Sequence, residues 1–231
     1  MLYQVLLLLT LLILIYLYEK DICVKNNTTS LSKEGYIKLG NIRKMDALKL
    51  LPKGYVFLNY KYVIRGCSLS TYHRDVTSSK HILGTKHKVY TFIRYYNKGP
   101  QISVCPGSHA TVPFTFSRGV NIYGDIGDCY IFDCDLVHAG AINIFGDNRH
   151  VEQYKIAHVD DILKLEDLLG IDKLQIGKCD LSPSYEYIMR KLSLLFAYPV
   201  NHILTPYLQK DKKSTFGNLL LSIYGRKFYN K

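Results

Sequence analysis

His73, Asp75 and His138, with Arg149 eleven residues beyond the last, are the residues of this chain whose types and spacing point to chemistry. Two imidazoles and one carboxylate on one face of a ferrous ion leave several coordination positions open, and such a centre can activate oxygen. A guanidinium at a fixed offset from the third ligand has the forked donor geometry that holds a carboxylate. His73 and Asp75 are two positions apart, so in an extended segment both side chains leave the same side of the backbone. His138 must then be brought back by intervening strands, and Arg149 by a turn onto a neighbouring antiparallel strand.

An HxD pair alone carries little. A chain of 231 residues with 8 histidines is expected to hold about half such a pair by chance. A second pair, His158 and Asp160, is set aside: it lies at the boundary of a helical region, where Asp160 is better used as a cap, and its only downstream histidine is His202. His109 lies in a Pro-Gly turn and is read as satisfying local backbone groups. Asp133 and Asp135 flank the strand before His138 and either orient its imidazole or stabilise a turn. His81 and His87 fall in a lysine-rich loop and are read as exposed.

The elements that must position these side chains are mostly strands. GYIKL reads as a strand. Asn41 to Leu51 reads as a short helix, with Ile42, Met45, Leu48 and Leu51 at three-residue spacing before Pro52. YVFLNYKYVI, KVYTFIRYY, QISVC, VNIYG, DCYIFD and AINIF are rich in β-branched and aromatic residues. NKGP, PGSH, GDIGD and FGDN break them, a pattern of short strands that predicts a sandwich or barrel. From Asp160 the pattern turns helical: DDILKLEDLLG is an amphipathic helix closed by Gly170, with Asp160 or Asp161 as N-cap. Ser182-Pro183 opens another helix, and NLLLSIYG forms a last short one. These C-terminal helices are expected to pack on the barrel; with the basic tail they could instead lie on an anionic membrane.

Residues 1–18 carry no charge before Glu19, and at helical rise they span about 27 Å, near the lower limit for a bilayer. An uncleaved single-pass transmembrane anchor is expected over 1–20, in preference to a cleaved signal peptide. Lys20, Lys25 and Lys33 follow it, which leans toward a cytoplasmic main domain. The net charge of +11 favours an anionic partner, but no aromatic-rich RNA signature or zinc-finger spacing accompanies it, which argues against nucleic acid. The six cysteines show no CxxC spacing and are read as buried free thiols.

YHRD, then SVCPGSH, then GDCYIFDCDLVHAGAIN, then DNR resemble the phytanoyl-CoA dioxygenase-like branch of the iron(II)/2-oxoglutarate-dependent oxygenases. GYIKL resembles that family's early strand, and the likeness covers about residues 34 to 156. The resemblance implies a mainly β fold with a double-stranded β-helix (jelly-roll or cupin-like) core. It implies iron ligands His73, Asp75 and His138, with Arg149 binding the distal carboxylate of 2-oxoglutarate. Fe(2+), 2-oxoglutarate and O2 are the implied cofactors, with ascorbate as an optional reductant. The reaction it implies is oxidative decarboxylation of 2-oxoglutarate to succinate, and hydroxylation of a small-molecule or lipid-like substrate is the expected outcome. The family often carries a small hydroxyl residue two places after the distal histidine, where this chain has Gly140; Tyr90 or Thr91 is the candidate for the missing contact. The expected organisation is an anchor (1–20), a linker (21–34), an oxygenase domain (35–159) and a C-terminal helical extension (160–231). A prolyl-hydroxylase-like protein hydroxylase and a non-catalytic barrel binding module at a membrane are the competing readings.

Overall fold

The computed structural model describes residues 2–18, 23–24, 29–66, 70–79, 81–110, 118–142, 149–176 and 184–196. Eleven strands are described: β1 (Cys23–Val24), β2 (Tyr36–Gly40), β3 (Tyr55–Phe57), β4 (Tyr60–Arg65), β5 (Tyr90–Tyr95), β6 (Gly99–Val104), β7 (Val120–Gly124), β8 (Cys129–Asp133), β9 (His138–Gly140), β10 (His150–His158) and β11 (Ile171–Ile176). The larger sheet runs β11-β4-β10-β5-β8-β2, with β3 also paired to β10, and the smaller runs β1-β7-β6-β9. Two parallel pairings, β1 with β7 and β11 with β4, make both sheets mixed. The architecture is a mainly β, cupin-like sandwich.

The pairing is nested. β4 pairs with β10, the segment at His73 with β9, β5 with β8, and β6 with β7, all antiparallel. The chain therefore crosses between sheets repeatedly, and each crossing carries the next strand onto the opposite layer.

Alternation along each strand divides the side chains between two cores. Ile93, Tyr95, Tyr130, Phe132 and Val151 meet Ile102, Val104 and Ile122 inside the sandwich. The intervening residues Phe92, Ile131 and Ile156 pack outward against Ala47 and Leu51. Those two belong to the expected 41–51 helical segment, formed as α2 (Lys44–Ala47) followed by a 3-10 turn at Leu48–Leu50. Full burial of each such apolar side chain is worth about 1.5–3 kcal/mol relative to exposure.

Several expectations are corrected. The N-terminal stretch forms α1 (Leu2–Tyr18), whose 17 residues reach about 26 Å, short of a hydrocarbon core of about 30 Å. No helix among the described residues is long and apolar enough to cross a membrane. The single-pass anchor over 1–20 is thereby overturned, together with the membrane localisation built on it. DDILKLEDLLG forms a 3-10 run (Val159–Leu168) broken by non-helical backbone at Leu165, and its cap is His158, whose ring accepts the Asp160 N–H. The strand expected at AINIF falls largely outside the described residues, as does NLLLSIYG. β11 adds a strand within a region expected to be helical, and β10 is a strand that composition and turn residues left unmarked. Cys129 and Cys134 are buried free thiols, as expected, and Cys105 is buried as well.

The helix expected from Ser182-Pro183, two residues that lie outside the described ones, is found over Ser184–Leu195 as α3, which packs on the outer face of the smaller sheet. Its Leu194 is buried among Tyr72, Cys105, Val137 and Ala139. Arg190 is buried too: it donates to the carbonyls of Ser70 (2.5 Å) and Gly140 (2.8 Å) and to the Ser103 hydroxyl (2.8 Å). Replacing Leu194 by Ala should cost about 2–5 kcal/mol of unfolding free energy, the usual cost of truncating a core leucine. Denaturant titration measures it, and a loss within error of zero would show that α3 is not docked.

Candidate metal centre

Backbone pairing brings the two histidines of the candidate set together. The N–H of His73 donates to the carbonyl of His138, and the N–H of His138 donates to that of His73, both at 2.9 Å. Residues that exchange both bonds stand directly opposite with their side chains on one face, and the ring centroids here are 4.5 Å apart. Arg74 is extended (φ −116, ψ 139), so Asp75 returns to the face of His73. Arg74 itself points the other way, to Asp135 Oδ1 at 2.7 Å and the carbonyl of Ser108 at 3.2 Å.

The ring orientations follow from what the other nitrogens touch. His73 Nδ1 lies 2.8 Å from the carbonyl of Thr71, and His138 Nδ1 3.0 Å from that of Leu136. A carbonyl only accepts, so each Nδ1 carries the hydrogen and each neutral ring presents a lone pair at Nε2. Both Nε2 atoms lie 3.6 Å from Asp75 Oδ1. His73, Asp75 and His138 thus offer three ligand atoms within 4.8 Å of one another.

Asp75 divides its two oxygens between tasks. Oδ2 accepts from the Thr91 hydroxyl (2.5 Å), the Lys155 ammonium (2.6 Å) and the Gln153 amide (2.8 Å). Oδ1, left facing the two imidazoles, is the oxygen available to a metal. Burial works against the Asp75 carboxylate, but the Lys155 charge and the two imidazoles outweigh it and hold its pKa well below the usual range. Burial likewise opposes the Lys155 ammonium, and Asp75 more than restores it, so the pair stays ionised. Burial draws His138 down to about 3, which keeps its imidazole neutral and able to bind a cation. The His73 side chain is 28% exposed against 6% for His138 and 5% for Asp75, so the cluster opens to solvent past His73.

Arg149 approaches along β9. Gly140 lies two residues beyond His138 on the same face, about 7 Å along the strand. A Cβ built there would stand 2.0 Å from Arg149 Nη1 and 2.4 Å from its Cζ, so the guanidinium lies directly over the glycine. A hydroxyl side chain at position 140 would displace it. Arg149 Nε and the Tyr95 hydroxyl are both buried with no hydrogen-bond partner among the described residues. Burial raises the Tyr95 pKa while the nearby Arg149 charge opposes the rise. An unpartnered Nε–H on the guanidinium and a hydroxyl beside it are chemically suited to a carboxylate.

The other expected residues separate clearly. Thr91 reaches the cluster but is committed to Asp75. Tyr90 lies on the opposite face of β5, against Tyr55 at 5.4 Å between centroids, and is removed from the centre. Asp133 accepts from the backbone of Asp135 and pairs with Lys88 at 3.1 Å, so it stabilises the turn and leaves His138 alone. The His109 ring lies against Gly35, away from the three ligands. His81 is exposed, whereas His87 is half-buried against the His158 ring. Lys155 and Gln153 were missed. A signal existed: Val151, Gln153, Lys155 and Ala157 share one face of a strand by alternation, and a lysine on a core face demands a buried partner.

No protein-family model matches the chain, and no characterised protein matches it in sequence. Among solved structures it is similar to the epimerase SnoN in complex with Fe3+, alpha ketoglutarate and nogalamycin RO, with a TM-score of 0.42 and 15% identity over 55% of this chain and 80% of that one. It is similar to HygX from Streptomyces hygroscopicus with nickel and 2-oxoglutarate bound, with a TM-score of 0.42 and 11% identity over 56% of this chain and 84% of that one. It is also similar to EvdMO1, with a TM-score of 0.40 and 16% identity over 49% of this chain but only 30% of that one. These likenesses are partial, and the reading of the centre rests on its own side chains.

Two outcomes are expected. Lys155→Met should destabilise the protein by about 3–5 kcal/mol by leaving the Asp75 charge buried without its counter-ion. Gln153→Leu should cost less, about 1–3 kcal/mol. Denaturant titration of both variants checks this, and an inverted order would reject the role given to Lys155. Metal-free protein should also lose stability on acidification: unfolded His138 takes a proton near 6.5, but folded His138 does so only near 3, so stability is complete above 6.5 and falls through that window. Asp75 acts in the same direction below the ordinary carboxylate range. Thermal midpoints between neutral pH and about pH 4 test it, and a flat profile would contradict the buried neutral imidazole.

Proposed function

We propose that this protein is an iron(II)- and 2-oxoglutarate-dependent oxygenase of the phytanoyl-CoA dioxygenase-like kind, hydroxylating a small-molecule or lipid-like substrate. The observation that carries the reading is the convergence of His73 Nε2, His138 Nε2 and Asp75 Oδ1 within 4.8 Å, with the second nitrogen of each ring tied to a carbonyl. Two imidazoles and a carboxylate on one face suit ferrous iron and leave positions open. The nested strand pairing supports a double-stranded β-helix as the core.

His73, Asp75 and His138 would hold the iron, which, with 2-oxoglutarate and O2 bound, supplies the oxidising power for a C–H bond. Arg149 would receive the far carboxylate of 2-oxoglutarate, with the Tyr95 hydroxyl as second donor. The spacing fits, since the guanidinium lies about 7 Å along β9 from His138, the length scale of a five-carbon diacid. Lys155, Thr91 and Gln153 occupy Asp75 Oδ2 and so would leave Oδ1 as the oxygen offered to the metal. Substrate would enter past His73, the ligand whose side chain reaches solvent.

Incubation of the purified protein with Fe(2+), 2-oxoglutarate and ascorbate should form succinate even without a substrate. His138→Ala should abolish this, and Arg149→Ala should raise the 2-oxoglutarate requirement by at least tenfold, the loss of about 1.4 kcal/mol or more of charge-assisted binding. Retained turnover in the first variant, or an unchanged requirement in the second, would reject the respective assignment.

A further inference from the structure

The HxD pair at the end of β10, set aside on sequence grounds, meets a third ligand in space. His158, Asp160 and His87 bring one ligand atom each within 4.8 Å of one another. His87 Nε2 lies 3.3 Å and His158 Nδ1 3.5 Å from Asp160 Oδ2. Around a tetrahedral zinc ion with bonds of about 2.0–2.1 Å, ligand atoms stand about 3.3–3.4 Å apart. We infer that His87, His158 and Asp160 form a second metal site, which takes Zn2+ with water in the fourth position.

The cluster is built into the fold. Asp161, buried, accepts the backbone N–H groups of Lys86 and His87, each at 2.8 Å, and so fixes the loop that carries His87. His158 is oriented from two sides. Tyr55 meets it edge-on at 5.5 Å, and Gly54 (φ +96) lies so close that a Cβ there would stand 2.2 Å from Nε2. The Nε2 edge is thereby covered and the Nδ1 edge is turned to Asp160.

The imidazole planes are tilted by 30° with centroids at 3.8 Å. Two protonated rings at that distance would repel, whereas a divalent cation lets both remain neutral and satisfies the carboxylate between them. Two features compete. The exposed Lys86 ammonium lies 3.7 Å from Asp160 Oδ2 and is free to swing away. The Asp160 N–H donates to His158 Nδ1 at 3.3 Å, a long bond that metal binding would replace. The donor set of two imidazole nitrogens and one carboxylate oxygen favours zinc over calcium or magnesium.

The location gives the site a structural consequence. His87 precedes Thr91 by four residues on the way into β5, and His158 follows Lys155 by three on β10. A zinc ion would staple the ends of the two strands whose inward side chains hold Asp75. This inference does not rest on the oxygenase reading, and the two are tested apart.

Chelator-stripped full-length protein titrated with Zn2+ against a chromophoric chelator should take two equivalents. His87→Gln and Asp160→Asn should each lose one, and His138→Ala should lose the other. His87→Gln keeps a polar side chain at a half-buried position and leaves the Asp161 bonds to the loop backbone in place, so its circular dichroism should match the native chain. A single equivalent that survives His87→Gln, or two that survive both His87→Gln and Asp160→Asn, overturns the second site whatever happens at His138. A single equivalent lost in His87→Gln but kept in His138→Ala supports it and removes the first centre instead.

Discussion

The reciprocal backbone pair between His73 and His138 is the constraint on which the rest of the structure depends. Two hydrogen bonds between directly opposed residues fix the distance and the facing of both imidazoles before any metal is present. Because strand side chains alternate, a one-residue slip of β9 would turn His138 outward and bring Val137 or Ala139 to the centre. That slip is blocked by packing. Val137 and Ala139 are buried against Leu194 of α3, and Leu136 lies in the inner core, so each face of the segment is held by apolar partners. The helix on the outside of the sandwich thus guards the register of the ligand on the inside.

The same centre is costly for the fold. A carboxylate and an ammonium buried together gain attraction in a low dielectric but lose hydration, and the balance need not favour stability. Here every acceptor position on Asp75 Oδ2 is filled, by Thr91, Gln153 and Lys155, so the charge is paired and hydrogen-bonded rather than merely enclosed. The arrangement trades stability for placement, with the inner apolar layer of Ile93, Tyr95, Tyr130, Phe132 and Val151 offsetting it further along the same strands. Burial also pushes the neighbouring Cys134 thiol up to about 12, so Lys155 faces one anion, not two.

Local signals were legible and distant ones were not. The strands at β5 to β8 and the early strand β2 follow from composition, alternation and turn residues, all properties of a few neighbouring positions, whereas the set at 73, 75, 138 and 149 was singled out by the order and spacing of motifs that resemble a known family. Lys155 carries a signal in its alternation, yet its partner Asp75 lies 80 residues away, and only the pairing of β10 with β5 joins them. Tyr90 and Thr91 were equal candidates by sequence, but they occupy opposite faces of β5, and which face is inward is set by tertiary packing. The anchor was inferred from apolar length, a quantity near its threshold, and α1 ends a residue or two short of it. His158 and Asp160 were read as part of a helix start because His87 comes from a separate loop.

Gly140 shows how one position can carry two requirements. A small hydroxyl there could donate to a bound carboxylate directly, but its Cβ would occupy the space of the Arg149 guanidinium. With glycine the cation moves onto the strand backbone itself, closer to the axis that runs from His138. On the oxygenase reading the lost donor would be replaced by the Tyr95 hydroxyl of β5, buried beside the Arg149 guanidinium. The co-substrate would then be gripped from the larger sheet, by Tyr95 of β5 and by Arg149 just before β10, instead of along β9 alone. Such a grip couples co-substrate binding to the two strands that also position Asp75, so the acid end and the metal end of the site share one scaffold.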